Sequence, residues 1–286
     1  MSLRRVDAGP ELAEVESLAS DWSDSPHHPS LSEHTRLQLR QGNAALLISE
    51  DRTGLASLSP TKQVGIGMVE VAVPDQVSMS DFWDLAEQEV ESEAVQLGFR
   101  ALELLTWDAG LRAELADRGW QQVRVINRGM TDARSIPVSS NSAKVGLFQR
   151  ERDFEGLLEV NNLAFEDHLE AGNWDHAGLE SLFRETWFDP AGLFVTRQGT
   201  VVTGFCWTKV HPDSVGEIYL LAVRPAHTGR GLGRALLTAG IEYLTTARHS
   251  AITMIYWDAS NKAASSLYQS VGFNVDRVGE VFRHRL

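Results

Sequence analysis

The sequence predicts an α/β chain in which one plan of strands and helices occurs twice in tandem. Three observations predict it. The 286 residues suit two domains of ordinary size better than one, and an apolar share of 43% supplies a core for each. Short matches recur in the same order: Leu105-Thr106-Trp107-Asp108-Ala109 resembles Ile255-Tyr256-Trp257-Asp258-Ala259, and residues 115–120, closing in Gly-Trp, resemble 267–273, closing in Gly-Phe. Strand-like apolar runs also alternate with helical spacing along both halves.

In the first half, residues 32–39 read as a helix and 44–49 and 65–73 as strands. Residues 81–97 carry Phe82, Leu85, Ala86, Glu89 and Val90 at helical spacing, with Ser80 as the expected N-cap. A strand follows at 101–106, a helix at 111–118 and a strand at 122–127. The stretch 131–143 is rich in Ser and Asn, holds Pro137 and reads as the connection. The expected division is a first domain over 1–135, a linker over 136–143 and a second domain over 144–286. In the second half, 192–196 and 201–210 read as a hairpin, 217–223 as the next strand and 233–248 as a helix. A strand at 251–257, a helix at 261–270 and a closing strand region at 273–283 complete it.

Composition narrows the function. The net charge is −13 with no lysine- or arginine-rich run, which argues against nucleic acid as a partner. The single cysteine, Cys206, excludes an internal disulfide and a zinc–cysteine cluster, and it reads as a small core residue. His27 and His28, beside Pro26 and Pro29, have no carboxylate or cysteine at ligand spacing and read as a polar loop, so no metal is expected. No apolar stretch reaches the ~18 residues of a membrane span, and no signal-peptide core opens the chain. A cytoplasmic, monomeric protein without a membrane or nucleic-acid partner is expected.

The chemistry concentrates at two motifs. Val223-Arg224-Pro225-Ala226-His227-Thr228-Gly229-Arg230-Gly231-Leu232-Gly233-Arg234 joins a strand to a helix through a glycine-rich turn. Such a turn lets backbone approach a pyrophosphate, and the free N–H groups of the helix start point at its charge. Arg224, Arg230 and Arg234 place positive charge there. The second motif is Asn261-Lys262-Ala263-Ala264-Ser265-Ser266-Leu267-Tyr268-Gln269-Ser270-Val271-Gly272-Phe273. Together the two resemble the acyl-CoA-binding signature of the GCN5-related N-acetyltransferase (GNAT) superfamily, with Thr228 where that signature usually has Gln or Arg. The resemblance implies two tandem GNAT domains, each a mixed, mostly antiparallel sheet flanked by helices, and acetyl-CoA as acetyl donor. It implies that Leu221, Ala222 and Val223 bind the pantetheine arm through the main chain. Thr228, Gly229, Arg230, Gly231, Leu232, Gly233 and Arg234 would wrap the pyrophosphate, and Asn261, Lys262, Ala263, Ala264, Ser265 and Ser266 would line the thiol end.

Acetyl transfer to an amine needs a proton acceptor for the amine and an acid for the leaving thiolate. Glu217 opens the strand that leads to the glycine turn and is the expected base; Glu217, Tyr219 and Leu221 share a face by period 2. Tyr268 is the expected acid, since a phenol (~10) can hold its proton until a thiolate (~8.5) develops. Outside this context Glu217 reads as a solvated strand-end charge and Tyr268 as a packed helix tyrosine. The first half lacks this chemistry. After 69–73 comes Pro74-Asp75-Gln76-Val77-Ser78-Met79-Ser80, with neither glycine turn nor arginine, and Ala116 aligns with Tyr268. A degenerate first domain, without stable CoA binding but helping to shape a substrate cleft, is expected.

Further segments narrow the amine. Val160-Asn161-Asn162-Leu163-Ala164-Phe165, His168 to Trp174, Trp187 to Phe194, Gly204-Phe205-Cys206-Trp207-Thr208-Lys209-Val210-His211-Pro212 and Gly216-Glu217-Ile218-Tyr219 resemble a tandem-domain GNAT family, the mycothiol synthases. The resemblance is near-continuous over 145–285. It implies acetylation of the cysteinyl amine of a Cys-glucosamine-inositol pseudodisaccharide, with Glu33, Glu170, Lys209, Glu217 and Tyr256 as substrate ligands. An acetyltransferase for another small primary amine and a non-catalytic acyl-CoA sensor are the alternatives.

Overall fold

The computed structural model describes residues 2–7, 9–22, 31–132, 145–166 and 174–286. The linker segment 136–143, Glu170, His27 and His28 lie outside these. By internal contacts the chain forms two compact units, Met1–Ile126 with Val278–Leu286 and Asn127–Arg277. The boundaries fall inside two strands rather than at the linker, so residues 127–132 group with the second unit and 278–286 with the first.

The first unit contains β1 (Leu3–Arg5), α1 (Pro10–Asp21), α2 (Glu33–Arg40), β2 (Ala45–Ser49), β3 (Leu55–Pro60), β4 (Ile66–Ala72), α3 (Met79–Gln96), β5 (Ala101–Thr106), α4 (Ala109–Asp117) and the start of β6 (Gln121–Asp132). β1 to β4 pair antiparallel in sequence order, and β4 pairs β5 in parallel. Beyond β5, Glu280–Arg285 of the last strand, β12 (Asn274–Arg285), pairs antiparallel with Ala101–Thr106. The buried Glu103 accepts from Arg283 Nε at 2.8 Å across that pair.

Both sheet faces are covered. Ala45 and Leu47 of β2 pack with α3 and α4, whereas Leu46 and Ile48 pack with α1 and α2. β2 therefore reads as a continuous apolar run rather than an alternating one. β3 and α1 were not expected. In β3 the buried Ser57 and Ser59 interrupt the apolar signal; Ser59 Oγ pairs with Thr35 Oγ1 of α2 at 3.2 Å. Helix α3 begins earlier than expected, and its N-cap is Ser78, not Ser80. Ser78 stands three residues before Asp81 and accepts its N–H at 3.3 Å, which Ser80, already inside the helix, cannot do.

The second unit contains β7 (Val145–Leu147), α5 (Arg150–Ala164), α6 (His176–Leu182), β8 (Leu193–Gln198), β9 (Val201–Val210), β10 (Gly216–Val223), α7 (Leu232–Thr246), β11 (Ile252–Asp258) and α8 (Lys262–Val271). β7 to β10 pair antiparallel in order, and β10 pairs β11 in parallel, with β6 next to β11. Helices α7 and α8 cover one face over Cys206, Ile218, Leu236, Ile255 and Phe273. Helix α5 and α6 cover the other over Leu157, Leu179, Phe205 and Trp207.

The repeat holds at the level of hydrogen bonds, with one correction. In α4, Trp120 N–H donates to Leu115 C=O at 2.9 Å and Gly119 N–H to Ala116 C=O at 3.1 Å. In α8, Phe273 N–H donates to Tyr268 C=O at 3.1 Å and Gly272 N–H to Gln269 C=O at 3.0 Å. Both helices close with a left-handed glycine, Gly119 at φ 84° and Gly272 at φ 104°. The residue standing in the place of Tyr268 is therefore Leu115, fully buried, and not Ala116. The helix end sets the register, and the sequence match counted from its start was one residue off.

Candidate active site

The site is organised by an irregularity in β10. Ile218 pairs with Thr208 and Leu220 with Trp207, so Tyr219 is an extra residue, a β-bulge. The bulge reverses the alternation. Ile218, Leu221 and Val223 face the α7 and α8 side, whereas Tyr219, Leu220 and Ala222 pack on the α5 side. Glu217, directly opposite Lys209, shares the face of Trp207 and Phe205. Glu217 and Tyr219 thus share a face as expected, but Leu221 does not, because a bulge breaks strict period 2.

At the same point β10 leaves its parallel neighbour. The β10–β11 ladder runs from Gly216↔Thr253 to Ile218↔Ile255 and stops, although β10 continues to Val223 and β11 to Asp258. Among the described residues, the backbone of Leu221, Ala222 and Val223 therefore has no ladder partner on its β11 side.

The turn after β10 is built for close backbone approach. A short 3-10 turn, Pro225–His227, is closed by the Thr228 N–H and hydroxyl, both donating to Pro225 C=O at 3.3 and 2.9 Å. Gly229 and Gly231 have φ of 72° and 78°, a region that disfavours any side chain, and the space where a Cβ would sit is open. Gly231 is the N-cap of α7, whose first internal bond is Ala235 N–H to Gly231 C=O at 3.1 Å. The N–H groups of Leu232, Gly233 and Arg234 so have no acceptor within the helix. A diphosphate fits this cradle by charge and by clearance.

The three arginines expected at the turn divide. Arg224 is committed to Glu159 of α5 at 2.5 Å, and its Nε donates to Val202 C=O, which turns its charge to the α5 side. Arg230 donates to Ala226 C=O at 3.2 Å, and Arg234 donates to Ser270 Oγ of α8 at 2.6 Å. On α8, Asn261 is the N-cap, accepting from Ala264 N–H at 3.0 Å. Ser265 Oγ accepts from Trp257 Nε1 at 2.9 Å and Lys262 Nζ donates to Ala259 C=O. Ala263 and Ser266 are exposed, and Ala264 packs toward the α7 side.

Tyr268 is 6% exposed and packs edge-on to Trp257 at 5.2 Å and Phe273 at 6.1 Å. Its hydroxyl makes no hydrogen bond among the described residues and is not among their sealed, unpartnered atoms. Burial pushes the phenol up, with the neighbouring Cys206 as a smaller cause. Glu217, 7% exposed, accepts from His211 Nε2 at 2.8 Å through Oε2. Its Oε1 has no hydrogen-bond partner among the described residues and is likewise not sealed. The two expected catalytic side chains lie on opposite faces of the sheet, Glu217 on the α5 side and Tyr268 on the α7 and α8 side.

On the Glu217 face the structure gathers more than the sequence predicted. Lys209 Nζ lies 4.9 Å from the Trp187 ring centre and 5.8 Å from that of Tyr219. Tyr256 alternates with Ile255 on β11 and so shares this face. Burial pushes its phenol up, and the Glu217 charge pushes it further, against the pull of Arg128. Arg128 of β6 is itself held by Asp276 through Nε at 3.0 and 3.1 Å. His211, Trp187, Tyr219 and Arg128 were not expected. His211 and Trp187 sit in segments already distinctive in sequence, but only the strand register shows what they touch. Glu33 belongs to the first unit, in the first turn of α2. Among the described residues no three His, Cys, Asp or Glu side chains form a metal-binding group, and no helix is long and apolar enough to cross a membrane.

Comparison with known proteins gives a consistent picture. Residues 156–273 match the Acetyltransferase (GNAT) family. The chain is 34% identical to the mycothiol acetyltransferase of Renibacterium salmoninarum, over 93% of this chain and 86% of that protein. In structure it resembles a GCN5-related N-acetyltransferase from Sphaerobacter thermophilus, with TM-score 0.69 at 17% identity, over 99% of this chain and 95% of the other. It also resembles a tandem GNAT protein from the clavulanic acid biosynthesis pathway, with TM-score 0.68 at 13% identity, over 99% and 98%. At these identities the last two show the fold alone.

Proposed function

The chain belongs to the mycothiol acetyltransferase family, and from that premise we propose that its second unit transfers the acetyl group of acetyl-CoA to the cysteinyl amine of a Cys-glucosamine-inositol acceptor, giving mycothiol. The chain is an N-acetyltransferase of the GNAT fold. The observation that carries the site assignment is the occurrence of three features along β10 and the turn that follows it. The β10–β11 ladder ends, the glycine cradle of α7 begins, and Glu217 presents one unpartnered oxygen on the adjoining face.

Each residue then has a task. The main chain of Leu221, Ala222 and Val223 holds the pantetheine arm along the unpaired edge of β10. Residues 228–234 receive the pyrophosphate, and 261–266 border the thiol end. Glu217 Oε1 takes the proton of the attacking amine, whose reference pKa near ~8 leaves much of it protonated at neutral pH. A main-chain N–H near Leu221 meets the oxyanion. Tyr268 gives its proton to the departing thiolate. Burial weakens it as an acid but keeps the proton in place until the thiolate forms. Lys209 and Tyr256 offer a cation and a neutral phenol donor to the polyol acceptor.

The test is product mass after incubation of the purified protein with acetyl-CoA and the Cys-glucosamine-inositol compound. One added acetyl group on nitrogen, far above the uncatalysed rate, is the expected outcome. No added acetyl group on that acceptor would overturn this choice of acceptor.

A further inference from the structure

His211 lies in the connection between β9 and β10, outside every role described so far. That connection is tightly made. His211 N–H donates to Val215 C=O at 2.9 Å, and Ser214 N–H donates back to His211 C=O at 2.9 Å. Ser214 takes a left-handed conformation at φ 68°, and Val215 N–H donates to Asp213 Oδ1 at 3.3 Å. Pro212 fixes its own φ directly after the histidine. The backbone of His211 is thereby set by the turn and not by the side-chain contact.

The register then aims the side chain. Val210 pairs with Gly216 and Lys209 with Glu217, so His211 and Glu217 are diagonal neighbours on one face of the hairpin. Their side chains meet at 2.8 Å, with His211 6% and Glu217 7% exposed. An ionised carboxylate only accepts, so Nε2 carries the hydrogen and donates to Oε2. This leaves Oε1 as the oxygen without a hydrogen-bond partner among the described residues. A lone carboxylate on a flexible stem could turn either oxygen, or neither, toward a substrate. A carboxylate pinned at one oxygen by a group on a rigid turn presents the other in a fixed place.

We propose that His211 is the positioning residue for the general base: by donating from Nε2 to Glu217 Oε2 it fixes the carboxylate with Oε1 toward the amine. This rests on the reading of Glu217 as the base. Among the described residues, the charged and titratable groups on the Glu217 face are His211 from the turn, Lys209 from β9, Tyr219 from β10 and Tyr256 from β11. Arg128 from β6 and Asp276 from β12 stand behind Tyr256.

The test compares wild type, His211→Leu and His211→Gln. Gln places an amide N–H near the former Nε2 position, and Leu places none. In acetylation of the Cys-glucosamine-inositol acceptor, His211→Leu is expected to lower kcat on the order of 10- to 100-fold. The acetyl-CoA KM should stay within about 2-fold, and the acid limb of the kcat/KM profile should move to higher pH, because the charged carboxylate has lost a donor. His211→Gln is expected to recover most of the rate and return the limb toward wild type. Equal kcat losses in both variants with an unmoved limb would overturn the proposal, since a merely structural histidine gives that result. A second measurement is independent of the acceptor: titration of the Glu217 carboxyl by carbon NMR in wild type, His211→Gln and His211→Leu. A midpoint raised in His211→Leu and returned toward wild type in His211→Gln supports the pairing, and superposable curves in all three overturn it. If wild type itself acetylates nothing, the assigned reaction falls, while this titration still decides whether His211 holds Glu217.

Discussion

Replacing Tyr268 by Phe removes one oxygen from a side chain whose surroundings are well defined. The ring packs on Trp257 and Phe273, and those contacts survive in Phe. The hydroxyl makes no hydrogen bond among the described residues, so its loss leaves no buried partner unsatisfied. Stability should therefore change by no more than about 0.5 kcal/mol. Loss of a general acid costs roughly 100-fold in kcat, the lower end of the usual range, which corresponds to about 2.7 kcal/mol of transition-state free energy. Affinity for acetyl-CoA should stay within about 2-fold, because the proposed pyrophosphate cradle is the turn before α7 and does not include Tyr268. The assay is steady-state kinetics in both substrates, with a thermal melt of each protein. Because burial holds the phenol protonated well above neutral pH, the basic limb of the wild-type profile belongs to another group and should not move in the variant. An unchanged kcat refutes the acid assignment. A raised acetyl-CoA KM at unchanged kcat would instead make Tyr268 a wall of the thiol pocket.

Glu217→Gln should lose most activity at low pH, where free amine is scarce, and recover partly as pH rises toward the amine's own pKa. An equal loss at every pH, read from kcat/KM between pH 6 and 9, would assign Glu217 to positioning the amine alone. Gly231→Val places a branched side chain at φ 78° in the N-cap of α7, and calorimetric titration should find acetyl-CoA binding weakened by at least 10-fold. Unaltered binding would remove the turn from the cofactor site. The melting temperature should hold through pH 8 and fall above about pH 9. Burial pushes Tyr268, Tyr256 and Cys206 up, and burial with Asp189 takes Tyr243 to about 12. Such groups stabilise the fold below their unfolded pKa values and lose that contribution as pH rises through them; a flat profile to pH 11 would contradict the burial of these side chains. Equilibrium dialysis should find one acetyl-CoA per chain, and a second site of comparable affinity would show that the first unit binds it without a glycine turn.

Legibility in the sequence followed how far a feature depends on neighbours in the chain. The order of strands and helices in the second half was readable because β8 to β11 are largely apolar runs and the turns after β8, β10 and α8 carry glycine. Helix α5 was not, because the buried Asp153 and Asn161 break its apolar stripe. Asp153 is satisfied by Arg197, 44 residues away, at 2.8 Å, and by Gln149 N–H at 2.7 Å. Glu217 and Tyr268 were legible as motif members, but their places on opposite faces were not. One extra residue, Tyr219, separates the expected from the observed alternation, and nothing in the local sequence marks it. His211 stood in a distinctive segment, but its contact with Glu217 was not legible, since that partner is six residues away and adjacent only through the hairpin register.

The duplicated plan separates what makes this fold from what makes it react. Both units place a parallel pair at the same point, with Val69 opposite Leu104 in one and Glu217 opposite Met254 in the other. The matching runs after those strands put Val69 in the place of Glu217. The closing bonds of the last helix put Leu115 in the place of Tyr268. The N-cap of α3 is Ser78, whose hydroxyl accepts Asp81 N–H, where α7 begins at a bare left-handed glycine. β3 and β4 pair without interruption from Leu55↔Ala72 to Pro60↔Gly67, where β9 and β10 are bulged. In the first unit a serine caps the helix start and apolar side chains replace a carboxylate and a phenol, whereas the second leaves open a donor at the helix start, a carboxylate oxygen and a phenol; in both, the parallel ladder stops before its strands do. A fold gains nothing from leaving such groups open, since each could be paired or replaced by an apolar side chain at lower cost. Their coincidence in the second unit, around the end of one β-ladder, is what a bound acyl donor and a reacting amine would require.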